Sequence, residues 1–260
     1  GAYSTLSNFL DWGIANYSSE HMGVVMWDHG GGSISGICFD ECAYFDSLSL
    51  MELDNALFDT VSKAGRKFDF IGLDACLMGT LETANVLASY ADYMVGSEET
   101  EPGSGWDYTA IGNYLAENND ARGAEVGKVI CDSFLAACKT VDQDYLTTLS
   151  VIDLSQVDNL LISFNKFAKD MYTSAQDSSA RSEMIRAING VDNFGGNNKK
   201  EGYTNMVDLG GIVNSCASYS SNASSVISAL NSAVLYKVSG DAHQGATGLS
   251  MYYPLSIQGS

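Results

Sequence analysis

Apolar positions at Leu6, Phe9, Leu10, Ile14 and Tyr17, with Gly13 between them, share one face of a helix at the start of the chain. The next run, Gly23-Val24-Val25-Met26-Trp27-Asp28, is almost wholly apolar and stops at His29-Gly30-Gly31-Gly32. A short continuous apolar run ending in glycines predicts a buried parallel strand followed by an open loop. After a loop through Tyr44, residues 49–63 turn amphipathic through Leu50, Leu53, Leu57 and Val61. Ser49 and Glu52 stand at capping-box spacing there. Residues 67–74 form a second buried strand that feeds Ala75-Cys76-Leu77-Met78-Gly79 and a helix to about residue 89. Tyr93-Met94-Val95-Gly96-Ser97 reads as a third strand, closing in an acidic loop.

Later segments continue the alternation. Helices are predicted over 121–139, 156–175 and 224–234, and strands over 146–152 and 247–253, the last stopped by Pro254. Residues 190–202, rich in Gly and Asn, read as a flexible surface loop suited to nicking. Strands alternating with helices predict an α/β fold, a mostly parallel central sheet with helices on both faces. No repeat or linker interrupts it, so residues 1–260 read as a single domain. The chain opens directly into a helical pattern with no leader, as a piece lacking an earlier N-terminal segment would.

Composition narrows the function. With 45% hydrophobic and 17% charged residues, the 260-residue chain is globular and can bury a core without disulfides. Against 13 Lys and Arg stand 32 Asp and Glu, a formal charge of −19. That charge repels phosphate backbones and anionic lipid, which excludes nucleic acid and membrane as partners and favours basic peptides. No apolar run approaches the roughly 18 residues of a membrane span. The six cysteines (Cys38, Cys42, Cys76, Cys131, Cys138 and Cys216) are too scattered for a disulfide framework. Cys38 and Cys42 read as free thiols, or as a bridge in a secreted protein. They lack the histidine spacing of a zinc site, and no loop matches a calcium-binding hand.

Ligands of open parallel sheets bind at the carboxyl ends of the strands. Two strands end there in reactive residues, Asp28-His29-Gly30 and Asp74-Ala75-Cys76. If these strands are neighbours, imidazole and thiol meet at one rim, the arrangement a cysteine nucleophile needs. A turn into a helix at Cys76 would add the helix dipole. Glycines after His29 would let the Gly30 N–H join the Cys76 N–H as an oxyanion hole. Spacing alone leaves open that Cys76 is a small buried hydrophobe and His29 a loop residue.

The wording of the motifs goes further. Trp27-Asp28-His29-Gly30-Gly31-Gly32 and Leu73-Asp74-Ala75-Cys76-Leu77-Met78-Gly79 together resemble the clostripain-like cysteine peptidases (family C11) of the caspase-like clan. Ser97-Glu98-Glu99, Pro102-Gly103-Ser104-Gly105-Trp106, Val207-Asp208-Leu209 and Thr247-Gly248-Leu249-Ser250-Met251-Tyr252-Tyr253-Pro254 extend the likeness over residues 20–254. The resemblance implies a caspase-like α/β/α sandwich, with His29 as general base and Cys76 as nucleophile. It implies cleavage after Arg or Lys, with Asp74 in the substrate pocket. Where a second pocket acid is expected, this chain has Ser104, although Glu98, Glu99, Glu101 and Asp107 lie close by. No cofactor is required on this likeness, and calcium is the ion it allows. Substrates would be proteins or peptides with basic residues, and an N-terminal segment of the same precursor is an expected partner. A secreted or cell-envelope bacterial location follows from the family alone.

Two readings compete with it: a peptidase of the same clan with another P1 preference, and a catalytically silent binding module on the same fold. Relatives are often activated by self-cleavage between the histidine and cysteine motifs. Here Lys63, Arg66 and Lys67 sit in a poor place to nick, which leaves Lys199-Lys200 as the accessible dibasic site. His21 reads as surface, His243 as exposed loop, and Trp106 as a cleft residue or a loop anchor.

Overall fold

The computed structural model describes residues 1–198 and 202–255. Helix α1 (Tyr3–Asn16) precedes β1 (Gly23–Trp27). A short α2 (Gly32–Ser35) and a hairpin of β2 (Ile37–Asp40) and β3 (Asp46–Leu48) follow. Next come α3 (Leu50–Ala64), β4 (Phe68–Asp74), α4 (Leu81–Leu87) and β5 (Ala91–Gly96). Helices α5 (Tyr108–Glu117) and α6 (Gly123–Thr140) lead to β6 (Thr148–Asp153), α7 (Val157–Ser174) and α8 (Ser178–Ile188). The rest comprises β7 (Asn193–Phe194), β8 (Asn197–Asn198), β9 (Gly202–Tyr203), β10 (Met206–Asp208), α9 (Leu209–Ser215), α10 (Ala223–Ala233), β11 (Val234–Ser239) and β12 (Ser250–Tyr252).

The central sheet has the order β1-β4-β5-β6-β11. Strands β1, β4 and β5 are parallel, β6 runs against β5, and β11 runs against β6, so the sheet is mostly parallel. Alternate residues on each strand feed two cores. Phe70, Val95 and Val151 meet Ile111 of α5 and Val126, Ile130 and Phe134 of α6. Ile71, Leu73, Met94 and Ile152 face the other way, onto Leu53 and Leu57 of α3, Leu81 and Leu87 of α4, and Leu160, Val226 and Leu230 of α7 and α10. This is the expected α/β/α sandwich. The capping box of α3 forms as spaced: Ser49 N–H donates to Glu52 Oε2 at 3.0 Å, and Glu52 N–H donates to Ser49 Oγ at 3.3 Å.

The closing strand behaves differently from its expectation. β12 pairs with β10, and β10 with β7, in a small separate sheet, while β11 forms one outer strand of the central sheet, opposite β1. The β11 sequence alternates half-buried and exposed residues, as an edge strand does, and lacks the continuous apolar run of the parallel strands. Within residues 190–202, β7 pairs with β10 and Phe194 is fully buried. The dibasic Lys199-Lys200 lies outside the described residues.

Candidate active site

Register decides what meets at the rim. β1 and β4 pair with Trp27 opposite Asp74, so His29 and Cys76, each two residues further on, leave the same end of adjacent strands. A cavity of about 230 Å³ opens between them, lined by Asp28, His29, Asp74, Cys76, Glu101 and Gly105.

The turn after β4 holds the thiol. Leu77 adopts a left-handed backbone, φ 65°, a strained state for a bulky residue. Its side chain is buried against Phe194 and Met206, and its N–H donates to Glu99 O at 3.1 Å. The chain stays irregular to Thr80, whose hydroxyl caps α4 by accepting from Thr83 N–H at 3.0 Å. Cys76 therefore does not sit at a helix N-terminus, and the expected dipole contribution falls away. Cys76 is half-buried, and its sulfur accepts from Glu101 N–H at 3.3 Å.

His29 is exposed, its backbone N–H bound to Asp28 Oδ1 at 2.7 Å and its Nε2 3.2 Å from Glu41 Oε1. Glu41 opens the turn of the β2–β3 hairpin, which Asp40 caps by accepting from Cys42 and Ala43 N–H. That hairpin grips the histidine loop through Cys38 N–H to His29 O and Gly31 N–H to Gly36 O, both at 2.9 Å. Those two bonds flank the bridge of Gly30 to Ile37, a geometry that turns the Gly30 N–H out of the ladder. A Cβ on Gly30 would fall 2.2 Å from Cys76 O and 3.1 Å from Cys76 N. Only glycine permits an approach this close, so the backbones of Gly30 and Cys76 abut.

Asp74 is buried at the cavity floor. Its Oδ2 accepts from Trp106 N–H at 3.2 Å and from the Tyr108 hydroxyl at 2.7 Å, and it caps no helix. Trp106 is buried over Gly72, whose absent side chain makes room for the indole, so Trp106 anchors its loop. Its Nε1 donates to Glu101 Oε2 at 3.0 Å. Glu101 Oε1 is shielded from solvent without a donor, and the Glu101 carboxyl faces Asp74 within hydrogen-bonding reach. Burial first, then the Asp74 charge and hydrogen bond, hold Glu101 well above the usual carboxylate range. Burial and the bond to Asp74 likewise push the Tyr108 hydroxyl up.

Glu98 and Glu99, in the acidic loop after β5, are buried. Glu98 Oε2 accepts from Gly248 N–H at 3.0 Å; burial and Asp208 raise its carboxyl well above the usual range. Glu99 Oε1 accepts from Gly195 N–H at 2.7 Å, while its Oε2 lies 3.2 Å from His243 Nε2. His243, expected in exposed loop, is 6% exposed, with Nδ1 2.9 Å from Asp192 Oδ2. Burial pulls its imidazole down, but the hydrogen-bonded carboxylates of Asp192 and Glu99 outweigh burial and raise it to about 9. His21 is exposed as expected and meets Asp69.

The structure thus brings His29, Asp74 and Cys76 to one cavity, with the Gly30 backbone against that of Cys76. Sequence reasoning did not single out Glu41, Glu101 or Tyr108. Glu101 stands among Glu98, Glu99 and Asp107 with no periodicity to mark it. Cys38 and Cys42 are free thiols, and burial pushes Cys38 up to about 11. Among the described residues no three His, Cys, Asp or Glu side chains group to hold a metal ion, so calcium is assigned no ligands.

Comparison with known proteins identifies the family. The family model of the clostripain family, Peptidase_C11, matches residues 1–256. No curated protein matches the chain. Among solved structures, a secreted C11 cysteine protease from Bacteroides thetaiotaomicron, bound to an irreversible peptide inhibitor, is 20% identical. Its match covers 96% of this chain and 71% of that one, with a TM-score of 0.67. An inactive zymogen C11 protease from Parabacteroides distasonis is 21% identical over 96% and 69% of the two chains, TM-score 0.69. A Bacteroides thetaiotaomicron clostripain, complexed with the peptide inhibitor BTN-VLTK-AOMK, is 21% identical over 81% and 87%, TM-score 0.58.

Proposed function

The chain belongs to the clostripain family of C11 cysteine proteases, and on that premise we propose that it is an endopeptidase cutting after Arg or Lys through a His29–Cys76 dyad. The observation that carries this reading is the pocket itself: a thiol and an imidazole at adjacent strand ends, over a floor made by buried Asp74. A buried carboxylate gives charge-assisted pairing to a guanidinium or ammonium and rejects neutral or acidic side chains. Glu101, beside Asp74, adds a second carboxyl to that floor.

In this mechanism His29 takes the proton of Cys76 and the thiolate attacks the carbonyl carbon after the basic residue. The N–H groups of Gly30 and Cys76, brought together by the abutting backbones, stabilise the tetrahedral oxyanion. His29 then returns its proton to the leaving amine, and water hydrolyses the thioester acyl-enzyme. Glu41, 3.2 Å from Nε2, holds the imidazole ring in place. Peptide inhibitors bound by two relatives support peptide substrates, and the zymogen relative supports an activating precursor segment. One relative is described as secreted, which supports action outside the cytoplasm for this chain too. No helix among the described residues is long and apolar enough to cross a membrane.

The test is hydrolysis of fluorogenic peptides bearing Arg, Lys, Asp or Asn at P1, with Cys76→Ala as the blank. Turnover after Arg and Lys that disappears in Cys76→Ala is expected, with Asp74→Asn losing selectivity. Equal rates in parent and Cys76→Ala would overturn the dyad, and preferred cleavage after Asp or Asn would overturn the pocket.

A further inference from the structure

The floor of the cavity holds two carboxyls where one charge would suffice. Asp74 Oδ2 already has two donors, Trp106 N–H and the Tyr108 hydroxyl. Glu101 has one, Trp106 Nε1, and its Oε1 is buried with none. Two ionised carboxylates facing each other away from water repel strongly, and such a pair keeps a proton between its members. The proton belongs on Glu101, where it turns the unpartnered oxygen into a donor toward Asp74. Burial and the neighbouring charge hold Glu101 protonated well above the usual carboxylate range, which supports this placement.

We propose that a basic P1 side chain enters the pocket by exchange, its cation displacing the proton held between Glu101 and Asp74 and releasing it to solvent. The proposal rests on the reading of the cavity as a basic P1 pocket and adds how it is charged. Before binding, the pair carries one negative charge and one proton. Afterwards it carries two negative charges around a guanidinium or ammonium, and the proton has gone to buffer. Charge and atoms balance, and no other reactant is needed.

The exchange also bears on the nucleophile. Glu101 lies against Cys76 through its backbone N–H, and its carboxyl charge opposes a thiolate there. With its proton, Glu101 spares Cys76 that second charge while the pocket is empty; with a substrate cation seated, the cation offsets it. The pocket beside the thiol therefore carries one net negative charge in both states, so seating a basic residue adds no further charge against the thiolate. The groups facing Glu101 are Asp74 from β4, Cys76 from the turn after it, and Tyr108 from α5. Asp28 and His29 line the cavity from the loop after β1, and behind it lie the Cys131 and Cys138 thiols of α6, which burial above all pushes up.

Linkage makes this measurable. A ligand whose binding releases one proton binds about tenfold tighter for each pH unit gained, until the group is ionised in the free protein. The experiment is calorimetric titration of the Cys76→Ala protein with a peptide ending in Arg at P1, in two buffers of different ionisation enthalpy. A citrulline peptide of the same length is titrated alongside. Expected is release of about one proton with the arginine peptide below the ionisation of Glu101, with none for citrulline. In Cys76→Ala/Glu101→Gln the arginine peptide still binds, but that proton and its pH slope are gone. Cys76→Ala/Glu101→Asp keeps them and shows that the pocket tolerates substitution; thermal unfolding of each variant checks the fold. His29 is present throughout, so its own proton exchange cancels in the comparison. The same proton count with and without Glu101 would overturn the exchange while leaving the basic pocket standing. Equal affinity for arginine and citrulline peptides would overturn the pocket reading and the exchange with it.

Discussion

Gly30→Ala is the sharpest probe of how the two strand ends are joined. The added methyl would fall 2.2 Å from Cys76 O, with Ala75 Cβ and Cys76 N both at 3.1 Å. Carbon and oxygen rest no closer than about 3.2 Å, so something must move by about 1 Å. The atoms it meets are backbone, and β1 and β4 are locked by five registered pairs from Gly23 with Phe70 to Trp27 with Asp74. The turn carrying His29 and the Gly30 N–H must therefore back away from Cys76. A misplacement of about 1 Å in a catalytic arrangement costs about 100-fold, or about 2.7 kcal/mol of barrier. Because the oxyanion exists only in the transition state, the loss belongs in kcat rather than KM. The assay is steady-state hydrolysis of an arginyl fluorogenic peptide, with thermal unfolding run in parallel. Loss of activity with a retained cooperative transition is expected. A folded Gly30→Ala protein within about twofold of the parent in kcat/KM would refute the claim that these backbones jointly form the oxyanion site.

Other outcomes follow from the same structure. Gly13 in α1 has nothing within 4 Å of a Cβ, so Gly13→Ala should stabilise by about 0.5–1 kcal/mol in denaturant titration without changing activity. Glu98 binds its proton more tightly folded than unfolded, so its stabilisation is complete below the unfolded value of 4.5 and is lost as pH rises through the raised folded value. Glu98→Gln, which keeps a neutral donor toward Asp208, should flatten the alkaline fall in Tm; an unchanged slope would speak against the buried pair. His243 is also raised, so its stabilisation is full below 6.5 and is lost as pH climbs through about 9. The Tm deficit of His243→Gln should therefore be clear near neutrality and shrink above about pH 9.

The strands that position the site were legible because β1 and β4 are continuous apolar runs cut off by chemistry-bearing residues. Ser49 and Glu52 announced α3 for an equally local reason, since a capping box is satisfied within four residues. What escaped were features built from distant partners. Nothing in the neighbourhood of the acids at 98, 99 and 101 shows that Gly248, His243 and Trp106 come to meet them. His243 was misjudged for the same reason, flanked by glycines in sequence yet clamped by Asp192 in space. The place of β12 was hidden because an apolar triplet pairs as well with β10 in a small sheet as with a central strand. Glu41 became visible only once the β2–β3 hairpin folded back over His29.

The central claim is that Cys76 is the nucleophile and that a basic residue is seated beside it. The most direct measurement is covalent labelling with a peptidyl acyloxymethyl ketone carrying lysine at P1, set against its norleucine counterpart and read by peptide mapping. Thioether formation at Cys76 Sγ is expected, fast with lysine and slow with norleucine, leaving the other five cysteines unmodified. Equal labelling by both probes, or an adduct on Cys38 or Cys42 in place of Cys76, would contradict the account.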